Sequence, residues 1–190
     1  MTPRYTQALL LAAEAHEGQT RKGSKIPYIT HPVAVAALVA RYGGDEDQQI
    51  GALFHDVLED CGIDWETAIR SFGERVYTIV QDCTDGVRDP VTGLRASWRA
   101  RKEFYLAHLP QLSDDSLLVS ACDKLHNLEA IRADLFELGP VVFDRFSVSQ
   151  SKTLWYYHEV SRIFIQRACP PAGEIIWTLD AIEQRLGHGG

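Results

Sequence analysis

The nine residues Ala52–Asp60, ALFHDVLED, set one histidine and three carboxylates beside an apolar stripe. Like charges three and four positions apart repel on a helix surface, so this arrangement costs stability unless a cation sits among them. Taken from Ile50, the stretch carries Ile50, Leu53, Phe54, Val57 and Leu58 at the i, i+3, i+4, i+7 and i+8 positions of one helical face. At about 100° per residue, His55, Asp56, Glu59 and Asp60 form a band on the opposite side, where they can converge on one ligand. The spacing predicts a helix that begins near Asp45 and breaks at Gly62, and a metal ion is the candidate ligand.

Working outward, helical periodicity fills most segments and no sustained period-two alternation occurs, so the chain reads as all-α. Tyr5, Ala8, Leu9, Ala12 and Ala15 mark a first core helix rather than a signal peptide, since Glu14 interrupts the apolar run. After the loop GQTRKGSKIPYI, Thr30 is placed to cap a helix whose first turn holds His31 and Pro32. VAVAALVA follows, apolar nearly all round and therefore expected at the bundle centre, with Gly43-Gly44 as its stop. DWETAIRSFG and ERVYTIVQDC read as two helices parted at Gly73, and TDGVRDPVTGL as a long polar loop that can cover a site. SWRARKEFYLAHL is helical to Pro110. A Ser113 or Asp114 cap then opens a long helix with Leu118, Ala121, Cys122, Leu125 and Leu128 as its stripe and Asp123 and Asn127 on another face. SKTLWYYHEVSRIF ends at Pro170-Pro171, GEIIWTLDAIEQRL reads as a peripheral helix, and GHGG as a frayed end.

The 190 residues, 45% hydrophobic and 24% charged, fit one domain, 1–190, with a motif-bearing core at about 5–166 and a helical extension at 171–186. No apolar run has membrane-spanning length. Cys61, Cys83, Cys122 and Cys169 are scattered without a CxxC pair, which points to buried thiols in a reducing cytoplasm. A net charge of -7 argues against broad binding of nucleic acid or anionic membrane, so an anionic substrate must meet a local cluster of bases.

A second histidine opens an upstream helix, and an aspartate lies on the long downstream helix in DKLHNL. Two imidazoles and two carboxylates thus come from separate parts of the chain. With AHEGQTRKGSKIPYITHPVAVA, ALFHDVLED, CTDGV, DKLHNL and WYY in that order over residues 15–157, the sequence resembles the HD-domain metal phosphohydrolases. More narrowly, it resembles the small alarmone hydrolases related to the hydrolase domain of RelA/SpoT proteins. The chain is too short for the synthetase and regulatory domains of the long enzymes, and CTDGV with the extra loop residue before Pro27 resembles the stand-alone group. The resemblance implies an all-α HD-domain helical bundle around a central metal site.

It also implies metal ligation by His31, His55, Asp56 and Asp123. Mixed nitrogen and carboxylate ligands suit Mn²⁺, Fe²⁺ or Zn²⁺, and the resemblance favours Mn²⁺. Glu59 and Asp60, one turn beyond the ligand pair, are implied as catalytic, orienting water or carrying a proton. Arg21 and Lys22 match the family's RK and, with Asn127 and Lys152, are the candidate substrate contacts. Arg99, Arg101 and Lys102 are weaker phosphate candidates. His126 is expected to pack or bond locally rather than ligate, His16, His108 and His158 to be structural, and Trp155, Tyr156 and Tyr157 to stack on a base or fill the core. The implied substrate is guanosine tetra- or pentaphosphate, cut at the 3′ side to pyrophosphate and GDP or GTP. Two rivals stay open: an HD phosphohydrolase of another nucleotide, such as a 3′-phosphorylated cofactor, and a regulatory domain that binds nucleotide without cleaving it. Oligomeric state is not written in the sequence.

Overall fold

The computed structural model describes residues 2–84 and 96–187. Apart from Thr84, the TDGVRDPVTGL loop lies outside the described residues, as do the end of CTDGV and the tail after Gly187. The described residues form ten α-helices and three short 3-10 turns, with no strand among them, in agreement with the all-α reading.

Helix α1, Pro3–Ala15, starts at the Thr2 hydroxyl, which accepts from the Tyr5 amide. The loop after it turns back on itself: the Arg21 amide donates to the Ile26 carbonyl and the Tyr28 amide to the Gln19 carbonyl, both at 2.9 Å. Gly23, at φ +75°, makes that turn, since a side chain there would be strained. The fold-back brings Arg21, Lys22 and Tyr28 beside α2, Thr30–Arg41. Thr30 is the first residue of α2 rather than its cap. Its hydroxyl donates to the Pro27 carbonyl, 2.8 Å away, because the turn through Pro27 sets that acceptor beside it. Gly43, at φ +85°, ends the helix as expected.

Asp45 caps α3, Glu46–Phe54, in a reciprocal capping box with Gln48. The helix expected to run on to Asp60 is broken. Asp56 takes φ -98° and ψ -7°, a flattened conformation that turns the chain, and α4 resumes as a single turn, Val57–Asp60. The His55 ring meanwhile lies 2.7 Å from the Ala52 carbonyl. Burial in α3 is also wider than one stripe, covering Gly51 and Ala52 as well as Ile50, Leu53 and Phe54.

A 3-10 turn at Ile63–Trp65 leads to α5, Glu66–Arg70, and α6, Glu74–Cys83. Next come α7, Trp98–His108, capped by Ser97, and α8, Asp114–Leu138, capped by Ser113. Last are α9, Gln150–Gln166, and α10, Ala172–Gly187. The central place belongs to α8, not α2. At 25 residues it is about 38 Å long, and its side chains enter both hydrophobic clusters: Leu118, Val119 and Cys122 with α1 to α6, and Leu117, Ala121, Leu125 and Leu128 with α7, α9 and α10. In α2, Val33, Ala37 and Ala40 face outward, and short alanines carry little apolar area to hide. Helix α10 is less peripheral than its sequence suggests. Ile175, Leu179 and Ile182 are buried against α8 and α9, each worth roughly 1.5–3 kcal/mol of apolar burial.

Helices α2, α3 and α8 pack against one another pairwise, and this triangle carries His31, His55 and Asp123. Gly51 lets α3 approach α6: a Cβ there would stand 2.6 Å from Ile79 Cγ2 and 3.1 Å from Ile79 Cβ. Gly51→Ala should therefore lower stability by about 1–3 kcal/mol through overpacking, outweighing the ~1 kcal/mol that alanine adds to helix propensity. Urea titration checks this, and adding Ile79→Ala should recover part of the loss.

Candidate metal centre

His31 enters from the first turn of α2, His55 from the break after α3 and Asp123 from the middle of α8. One ligand atom from each lies within 4.8 Å of the other two, and all three residues are buried. His31 Nε2 is 3.1 Å from Asp123 Oδ1 and 3.5 Å from Asp56 Oδ2. His55 Nε2 is 3.1 Å from Asp56 Oδ2 and 3.6 Å from Asp123 Oδ1. The side chains of His31 and His55 are each 1% exposed, against 20% for Asp56, so the group opens outward on the Asp56 side.

Each member is held from outside the group. The Ala52 carbonyl accepts from His55 Nδ1, which leaves the Nε2 lone pair facing the carboxylates. His31 Nδ1 meets His126 Nδ1 at 2.8 Å. The Tyr28 hydroxyl donates to Asp56 Oδ2 at 2.6 Å. Asn127 Nδ2 donates to Asp123 Oδ1 at 2.6 Å while its oxygen accepts from Arg21 Nη2 at 2.8 Å, and the Lys124 ammonium pairs with Asp123 Oδ2.

Burial opposes charge on His55, Asp56 and Asp123, yet the charges beside them prevail. The carboxylates of Asp56 and Asp123 raise the His55 pKa well above its ordinary value. Burial likewise acts to raise Asp56 and Asp123, but the charge of His55 and the imidazole of His31 hold Asp56 far down, and the charge of Lys124 with the two imidazoles does the same for Asp123. The donor set fits a divalent cation on one further ground. Buried His55 Nε2 stands 3.1 and 3.6 Å from two carboxylate oxygens without an aligned hydrogen bond to either, an unsatisfied polar atom facing the space that a cation would occupy.

The group lies at the wall of a cleft of about 510 Å³. Glu59 and Asp60 line it beside Asp56, and so do six bases, Arg21, Lys22, Arg101, Lys102, Lys124 and Arg145. The acidic chain thus has the local basic cluster that an anionic ligand requires.

A family model described as HD domain matches residues 8–138. The chain belongs to the HD-domain family. Among curated relatives, it is 36% identical to guanosine-3′,5′-bis(diphosphate) 3′-pyrophosphohydrolase MESH1 of Xenopus tropicalis over 129 residues, 66% of this chain and 68% of that one. It is 33% identical to the bifunctional (p)ppGpp synthase/hydrolase SpoT of Escherichia coli over 132 residues, 67% of this chain but only 18% of SpoT. A solved structure described as a metazoan ortholog of SpoT that hydrolyzes ppGpp superposes with a TM-score of 0.65 over 99% of this chain and 94% of its own, at 23% identity. A second, lmo0812 of Listeria monocytogenes, gives 0.67 over 80% and 97%, also at 23% identity. At that identity the structural matches speak for the fold.

Of the residues singled out from the sequence of this HD domain, the fold brings together His31, His55, Asp56, Asp123, Glu59, Asp60, Arg21, Lys22 and Asn127. Lys152 is not among the cleft residues. It is exposed on the first turn of α9, whereas Thr153 and Tyr156, further round the helix, line the cleft. Arg101 and Lys102 line it as well, while Arg99 stacks on Trp155 outside it. Tyr156 and Tyr157 serve both the core and the cleft wall. His16 is buried, while His108 and His158 lie on the surface. His126 reaches His31 rather than a neighbour on its own helix. Sequence reasoning passed over Tyr28 and Lys124. Tyr28 had one available signal, its position three residues before His31; Lys124 had none, because adjacent helix positions do not face each other.

A divalent cation in hundredfold excess over its Kd should stabilise the protein by about 2.7 kcal/mol, read as a rise in Tm. His55→Ala should abolish that rise and retain no metal by elemental analysis.

Proposed function

We propose that this HD domain is a (p)ppGpp 3′-pyrophosphohydrolase dependent on Mn²⁺, with His31, His55, Asp56 and Asp123 holding the cation. The observation that carries the reading is the opening of the buried His/Asp group, through Asp56, into a cleft where three further acids, Glu59, Asp60 and Asp134, meet six bases. Kinship supports the choice of substrate, since the relatives that match two thirds of the chain are named for that reaction. The proposal extends to residues 1–190 as one cytoplasmic domain with a small nucleotide as its partner.

Hydrolysis joins the oxygen of water to the phosphorus next to O3′ and breaks the P–O3′ bond. The water loses a proton and O3′ gains one. A divalent cation supplies Lewis acidity that lowers the pKa of water and offsets charge at phosphorus. Glu59 orients the attacking water and takes its proton, and Asp60 holds the same network from the next position. Tyr28 keeps Asp56 turned inward, and Lys124 and Asn127 do the same for Asp123. Arg21 and Lys22, on the folded-back loop, receive the phosphate oxygens. Arg21 reaches Asn127, so substrate contact and the aspartate's orientation are mechanically joined.

Purified protein with Mn²⁺ and ppGpp should yield GDP and pyrophosphate. Binding without turnover would favour the regulatory rival, and cleavage of other 3′-phosphorylated nucleotides alone would favour the rival enzyme. Glu59→Gln should keep the metal while kcat falls by about 10²–10⁴; full activity in a folded Glu59→Gln protein would remove Glu59 from its role.

A further inference from the structure

We infer that His126 is a positioning residue that fixes the tautomer of His31 and so prepares it to hold the cation. The inference rests on the metal-site reading and adds a residue to it. The Nδ1 atoms of His31 and His126 are 2.8 Å apart, with ring centroids at 4.8 Å and planes tilted by 37°. A single hydrogen occupies the space between two such nitrogens, so one ring donates and the other accepts. The opposite nitrogen of His31, Nε2, faces Asp123 Oδ1 at 3.1 Å and Asp56 Oδ2 at 3.5 Å. A neutral imidazole offers a lone pair at Nε2 only when its proton is on Nδ1. His31 Nδ1–H must then be the donor, and His126 must accept at Nδ1 and carry its own hydrogen on Nε2.

The two histidines at the centre are oriented by different means. His55 leans on the Ala52 carbonyl, three residues back on its own chain segment, an acceptor that no substitution removes. His31 leans on a side chain 95 residues away. Helix α8 therefore supplies both a carboxylate of the centre, Asp123, and the orienter of an imidazole of the centre, His126. The two stand three residues apart, on one helical face. The acceptor on His126 is spent on His31, which explains how a histidine beside the centre serves it without joining it.

His126→Leu removes the acceptor and keeps apolar bulk. His126→Asn puts an amide oxygen close to where Nδ1 stood. Calorimetric titration should show Mn²⁺ affinity falling about 10- to 100-fold in His126→Leu and most of it returning in His126→Asn, with both variants folded without metal by circular dichroism. In the Zn²⁺-loaded parent protein, nitrogen NMR should find the proton of His31 on Nδ1 and that of His126 on Nε2. Unchanged Mn²⁺ affinity in His126→Leu, or a proton on His126 Nδ1 in the Zn²⁺-loaded protein, would overturn the inference and leave the metal site standing. A parent protein that binds neither ion would overturn both. The NMR measurement decides the matter even if neither variant folds.

Discussion

Two imidazoles and two carboxylates packed edge to edge where α2, α3 and α8 meet form the constraint on which the rest depends. Buried charges of this kind are expensive, and breaking such a group by removing one partner is costly because the others are left uncompensated. A shared cation would resolve the conflict, and the surrounding contacts read as devices that keep every donor aimed at its place. Ala52, His126 and Lys124 occupy atoms of a ring or carboxylate that face away from the centre, while Tyr28 and Asn127 bond the carboxylate oxygens that face it and hold their orientation. The packing of three helices is thereby converted into a fixed set of lone pairs.

The same geometry reconciles an acidic protein with the polyanionic substrate proposed for it. A net charge of -7 repels phosphate at a distance, but the cleft gathers bases from four places: the folded-back loop, α7, the middle of α8 and the 3-10 turn at Pro140–Arg145. Several of these bases are already engaged. Lys124 pairs with Asp123, Arg145 with Asp134, and Arg21 with Asn127. Their charges are thus partly oriented before a ligand arrives, which reduces the reorganisation needed when phosphate oxygens enter.

The break between α3 and α4 departs from the regular element that the sequence period describes. ALFHDVLED has the apolar period of one continuous helix, and period alone gives no reason to interrupt it. The chain nevertheless turns at His55-Asp56, with Asp56 flattened and the His55 ring at the Ala52 carbonyl. A straight helix would carry His55 and Asp56 about 100° apart around its axis; the turn sets His55 Nε2 and Asp56 Oδ2 3.1 Å apart.

By itself, the sequence determined the helical class and many helix ends, and it singled out the residues that the fold gathers at the centre. Those signals are local: apolar periodicity, caps such as Ser113 and Asp45, stops such as Gly43, and unusual residue types in one short stretch. What only the tertiary structure decided is whatever depends on contact between distant segments. Helix α8 rather than α2 takes the centre, α10 is buried, Tyr28 reaches Asp56, Lys124 folds back on Asp123, and His126 meets His31. Lys152 points away from the cleft that its neighbours line. Periodicity reports which face of a helix is apolar, but not which partner covers it or how far a flexible side chain travels, because both are set by packing among elements that are remote along the chain.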